Sequence, residues 1–165
     1  MFELKPLTKE GVPKALEKAM RYRLLNEPES AESICRDVLA CDPDHQDALV
    51  VLILALSDQL PVRIARPFQQ AKALLPKIRD AYRRAYYAGV LYERRAKAHL
   101  KKGMGAADVA YDWFRRAMKS YEEAEAIRPA GNDEAILRWN TCARIINQTP
   151  GLEPAGDERF VPLLE

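Results

Sequence analysis

The sequence predicts an all-α fold in which antiparallel helical hairpins stack side by side. Three observations carry that expectation. Apolar side chains recur at three- and four-residue spacing through most of the chain, the period of a helix with one buried face. Turn-forming groups interrupt the period at Asn26-Glu27-Pro28, Asp42-Pro43, Gly103-Met104-Gly105 and Pro129-Ala130-Gly131. The chain of 165 residues is 48% hydrophobic and 30% charged, an ordinary balance for one globular domain able to bury a core.

The elements follow in order. A first helix is expected from about Thr8 or Gly11 to Leu25, with Pro13 tolerated because it falls in the first turn. A second runs from near Ser30 to Cys41 and stops at Asp42-Pro43. The third spans about Asp44 to Ser57. Its core, Ala48 to Leu56, is nine consecutive apolar residues, far short of a bilayer span. Asp44 as cap and Asp47 near the positive end favour a buried helix over a strand there. A fourth helix opens after Pro61 and ends near Leu75, and Pro67 inside it demands a late start or a kink. From about Pro76 to Lys102 one long helix is expected, closed by the glycines at 103 and 105. Another covers about Ala106 to Ile127, and a last one runs from Asn132 or Asp133 to Gln148. The remaining residues, 149–165, contain three prolines and two glycines and read as an irregular tail. Phe160, Val161, Leu163 and Leu164 could pack back as a cap on the stack.

A fixed period emerges on comparing these hairpins. Ala31, Cys35, Val38-Leu39 and Pro43 form one second-helix pattern, and Ala19 and Tyr22 supply small and aromatic positions in the helix before it. Leu49, Leu52 and Leu56, then Ala65 and Ala73, continue at the same spacing, with Lys77 at the terminal-proline position and Pro76 beside it. The pattern returns as Ala117, Tyr121, Ala124 and Pro129. Over roughly residues 12–148 the chain resembles the tetratricopeptide repeat family, whose unit is about 34 residues of two antiparallel helices. The resemblance implies a domain over 1–148 with units at 12–45, 46–79, 80–131 and 132–148, stacked as a short right-handed solenoid. The third unit carries 18 additional residues, 80–97, about five helical turns, and reads as an elongated hairpin. The fourth begins with Ala135, Ile136 and Trp139 and is cut short. In the family, the inner face built by first helices receives a peptide or a partner's helix. Carried over, this points to the helices containing Tyr22, Leu52, Tyr86 and Trp139.

Charge is unevenly placed. The formal net charge is +2, yet residues 63–119 hold 15 basic and 4 acidic side chains, between a flank of 7 basic and 11 acidic before them and 4 basic and 9 acidic after. The densest basic run lies on the fifth expected helix. Its candidate partner-binding residues are Arg79, Arg83, Arg84, Tyr86, Arg94, Lys97 and Lys101. Helical spacing could align them as a ridge for an acidic protein segment, since arginine forks pair well with carboxylates. The same residues also read as a solvated helix face. RNA or anionic-surface binding is a further alternative because tyrosines interleave the charges, although no nucleic-acid motif is present. A homodimer through the elongated hairpin is another.

No catalytic, cofactor or metal constellation is visible. Cys35, Cys41 and Cys142 form neither CxxC nor an even set, which argues against a disulfide framework and fits a reducing compartment. His45 and His99 stand apart from any metal-ligand spacing. GMGAAD at 103–108 is a turn rather than a phosphate loop. The opening MFELKPLTKEG shows no signal-peptide pattern, so a cytoplasmic location is expected. The function these features suggest is a non-enzymatic interaction scaffold.

Overall fold

The computed structural model describes residues 1–155, the Met104 side chain excepted. The expected cap residues Phe160, Val161, Leu163 and Leu164 lie outside the described residues. Among the described residues there are seven α-helices: α1 Val12–Leu24, α2 Pro28–Cys41, α3 Gln46–Asp58, α4 Ala65–Leu74, α5 Ala81–Leu100, α6 Ala107–Ala126 and α7 Glu134–Gln148. No strand occurs among the described residues. Each helix packs on the next in sequence, and the α5–α6 contact is the most extensive. A second set of contacts joins α1 to α3, α3 to α5 and α5 to α7, so the odd-numbered helices lie in a row.

Local chemistry explains the boundaries. Asn26 adopts φ 59°, and Asn26 N–H donates to Arg23 O while Glu27 N–H donates to Tyr22 O. This paired closure satisfies the last carbonyls of α1 and stops the helix where the sequence indicated. Pro28 then opens α2, two residues earlier than Ser30, because a first-turn proline forfeits no helical hydrogen bond. The cap of α3 is His45, not Asp44: His45 Nδ1 accepts from Ala48 N–H at 3.3 Å. α3 is buried on nearly every side, with Ala48 through Ile53 and Ala55 through Ser57 shielded from solvent. The nine-residue apolar run is therefore the centre of the domain.

Two further expectations need correction. Ala65 and Ala73 are exposed; the face of α4 turned inward carries Pro67, Phe68 and Ala71. The buried register is thus one residue earlier than a fixed 34-residue count places it. Pro67 produces the late start, since α4 begins only at Ala65. The long helix expected from Pro76 begins instead at Ala81. Ile78 is fully buried in an extended conformation, and the Asp80 carboxylate accepts from Arg83 N–H at 2.7 Å as the cap of α5. A side-chain anchor and a cap together outweigh the helical pattern on either side.

α5 and α6 have 20 residues each, against 13 and 14 in α1 and α2. At 1.5 Å per residue both span about 30 Å. Gly103, at φ 102°, supplies the left-handed geometry that ends α5. Among the described residues a small apolar cluster of Val12, Val38 and Ala48 joins α1, α2 and α3, and two larger ones fill the rest of the interior. One surrounds α3 and includes Leu52, Ile53, Leu56, Phe68 and Leu91; the other holds Phe114, Met118, Tyr121 and Cys142 between α5, α6 and α7. Leu54, Tyr87, Tyr92 and Trp113 touch both, joining them into one core.

Candidate partner-binding face

The row of odd-numbered helices carries a ladder of charge. Asp58, the last residue of α3, receives Arg23 Nε from α1 at 2.7 Å and Arg94 Nη1 from α5 at 2.5 Å. Arg94 also donates to Ser57 Oγ and to Leu54 O, so it is pinned to the C-terminal turn of α3. One residue earlier on α5, the Glu93 carboxylate is fully buried. Its Oε2 accepts from the Tyr121 hydroxyl of α6 at 2.6 Å, and its Oε1 accepts from Lys97 Nζ at 2.5 Å and from Arg138 Nη1 of α7 at 3.3 Å. Every helix of the row therefore contributes: Arg23 from α1, Asp58 from α3, Arg94 and Lys97 from α5, and Arg138 from α7.

The ladder holds four cations against two carboxylates. Burial first, then the neighbouring cations Arg23 and Arg138, lowers the Arg94 pKa, against the opposing pull of Asp58. Burial also works against charged Arg138, but Glu93 and the Tyr86 hydroxyl outweigh it and hold its pKa above the ordinary value. Beside the ladder is a cleft of about 190 Å³ between the end of α3 and the end of α5, lined by Ser57, Asp58, Pro61, Arg94, Lys97 and Lys101 among others. Lys101 is exposed at the end of α5, so the cleft has a cationic rim.

The candidate residues on α5 and just before it divide into two groups. Arg79 pairs with Asp44 at 3.2 Å and Arg83 with Asp47 at 2.8 Å, while Arg84 donates to Ile78 O at 2.6 Å. These three tie the start of α5 to the start of α3 and to the preceding segment. Arg94, Lys97 and Lys101 gather at the other end, beside the cleft. From residue 83 to residue 94 the helix rises about 17 Å, so the two groups do not form one short ridge. Tyr86 sits between them, half-buried, with its ring 5.9 Å from Tyr82, 5.2 Å from Tyr87 and 6.0 Å from Tyr121. It belongs to hairpin packing as much as to any surface.

Sequence reasoning missed Arg23, Asp58, Glu93 and Arg138 as site residues. One signal was available for Glu93, the only carboxylate between residues 81 and 107, with Lys97 four residues on at helical spacing. Among the described residues no group of His, Cys, Asp and Glu is arranged to hold a metal ion, and no helix is long and apolar enough to cross a membrane. Comparisons with protein-family models, with curated proteins and with solved structures gave no match.

Proposed function

We propose that this chain is a tetratricopeptide-like scaffold that binds an acidic segment of a partner protein along the α1–α3–α5–α7 row. The observation that carries the reading is the cationic surplus of the ladder beside an open cleft. An acidic side chain entering between Arg94, Lys97 and Lys101 would find two charge-assisted donors, Arg94 and Lys97, held in place by Asp58 and Glu93, with Lys101 at the exposed rim. Because Arg94 and Lys97 are already fixed, binding would not have to order them, which favours affinity.

The repeat-like reading is supported by a shared burial pattern in the even-numbered helices. Ala31, Cys35 and Val38 in α2 are fully buried, as are Ala117 and Ala124 in α6, with Tyr121 almost so. Ile64, Phe68 and Ala71 occupy the same spacing at α4, Ile64 half-buried at its N-cap. In all three, a proline stands five residues after the last member: Pro43, Pro76 and Pro129. Gly89 of α5 supports it further, lying beneath the Tyr121 ring as the small residue where two helices cross.

Fluorescence anisotropy with a fluorescein-labelled peptide rich in aspartate and glutamate tests the proposal. Saturable binding should weaken as salt rises, since the rim charges are exposed. Lys101→Glu should weaken it about tenfold, roughly 1.4 kcal/mol, while Arg79→Glu leaves it within about twofold. Absence of saturable binding at low salt, or equal losses in both variants, would count against the cleft.

A further inference from the structure

Arg95, His99 and Lys102 lie about a third of a turn around α5 from Arg94, Lys97 and Lys101, so they form a second, separate face. The Arg95 guanidinium carbon lies 3.9 Å from the Phe68 ring centroid of α4 and 4.1 Å from that of Trp113 on α6. The Arg116 guanidinium carbon lies 4.7 Å from the same indole. Phe68 meets Trp113 edge-on at 5.1 Å, closing the corner behind Arg95. These ring contacts draw two arginines together without any carboxylate.

Two polar atoms of this corner are unsatisfied. Arg95 Nε and His99 Nε2 are buried and have no hydrogen-bond partner among the described residues. A buried polar group left so costs about 1–3 kcal/mol. Arg95, His99, Lys102 and Arg116 form no ion pair among the described residues. Asp112, one turn before Arg116 on α6, is exposed and forms none either. Burial and then Arg116 lower the Arg95 pKa; burial, Arg95 and Lys102 lower that of His99. Elsewhere on α5, Arg83, Arg94 and Lys97 each have a carboxylate. Here the fold gathers like charges and two buried nitrogen atoms, Arg95 Nε and His99 Nε2, with no ion-paired carboxylate among the described residues.

We propose that this corner between α4, α5 and α6 is a binding site for a phosphate-type oxyanion, held by Arg95, Arg116 and His99 with Lys102 at its rim. Guanidinium groups match the oxygens of a tetrahedral dianion, and the buried His99 ring nitrogen supplies one more donor. The Trp113 ring is already engaged by two guanidiniums, which favours a small oxyanion over a stacked nucleobase. Free phosphate and a phosphomonoester present the same chemistry. The site is independent of the acidic-segment cleft on the other face of α5.

The test follows the His99 imidazole by NMR in the full chain, at constant ionic strength, with and without about 20 mM inorganic phosphate. A bound dianion favours the imidazolium, so the His99 midpoint should rise by about half a unit or more. Arg116→Gln, a change at an exposed side chain, should abolish the rise and weaken phosphate binding about tenfold, with circular dichroism unchanged. O-phosphoserine forms a second arm. An equal rise there assigns the site to phosphomonoesters as well, and a rise with inorganic phosphate alone assigns it to the free anion. A His99 midpoint that neither compound moves, or a rise that persists in Arg116→Gln, overturns the proposal.

Discussion

The Tyr121 hydroxyl of α6 donates to the buried Glu93 carboxylate of α5 at 2.6 Å, and the same tyrosine ring covers Gly89 one turn earlier. Packing and polarity thus meet at one point of the longest hairpin. Glu93 is also where the core connects with the charged face, because its other oxygen holds Lys97 and Arg138. Tyr121→Phe removes one donor and leaves Glu93 Oε2 buried without it. Stability should fall by about 1–3 kcal/mol, read as a lower urea midpoint with an unchanged slope.

Gly89 tolerates no side chain. A Cβ there would lie 2.5 Å from Tyr121 Cε1 and 2.6 Å from Cδ1, and both are ring atoms rather than a flexible end. Gly89→Ala should therefore destabilise the domain by about 1–3 kcal/mol, even though alanine is the better helix former. Thermal unfolding checks this. Adding Tyr121→Leu to Gly89→Ala should cost less than the two single losses together, because the clash is gone.

Asp58 couples three helices. Arg23 and Arg94 converge on its two oxygens, and all three side chains are less than a quarter exposed. Asp58→Asn should lower stability by about 1.5–3 kcal/mol through weakened charged hydrogen bonds. A double-mutant cycle on Arg23→Ala and Arg94→Ala should be non-additive, since both share one acceptor. Additive losses would mean that the two contacts act separately.

The cysteines set a pH limit. Burial pushes the Cys35 and Cys142 thiols up to about 12, from 9.0, and raises the Tyr121 phenol in the same direction. The folded state then keeps its protons where the unfolded state releases them. Stability from these groups is complete below about pH 9 and is lost as pH rises from there toward 12. Alkaline unfolding monitored by tryptophan fluorescence should begin above about pH 9. At pH 8, iodoacetamide should label half-buried Cys41 first, with Cys35 and Cys142 following only on unfolding.

Much of the architecture was legible because it depends on short-range chemistry. Asn26 and Pro28, Asp42-Pro43, Gly103 and Gly131 act within a few residues of themselves, and helix ends fall beside each. The misses were non-local. A strict period placed Ala65 and Ala73 inward, whereas packing against α3 and α5 selects Phe68 and Ala71. Ile78 interrupts the helical pattern because the core, not its neighbours, draws it in. The candidate face shows the same division. Arg94, Lys97 and Lys101 stood out as cations, but Arg23 and Asp58 are 35 residues apart and Glu93 and Arg138 are 45 apart. No local pattern connects such pairs.

On this proposal the odd-numbered row, not the long helix by itself, receives an acidic segment. Mapping backbone amide shifts as the labelled acidic peptide is added tests this most directly. The largest changes should fall at Arg23, Asp58, Arg94, Lys97, Lys101 and Arg138, on four helices of one row, with little change at Arg79, Arg83 and Arg84. Changes concentrated at residues 79–84, or spread over the outer sides of α2, α4 and α6, would contradict it.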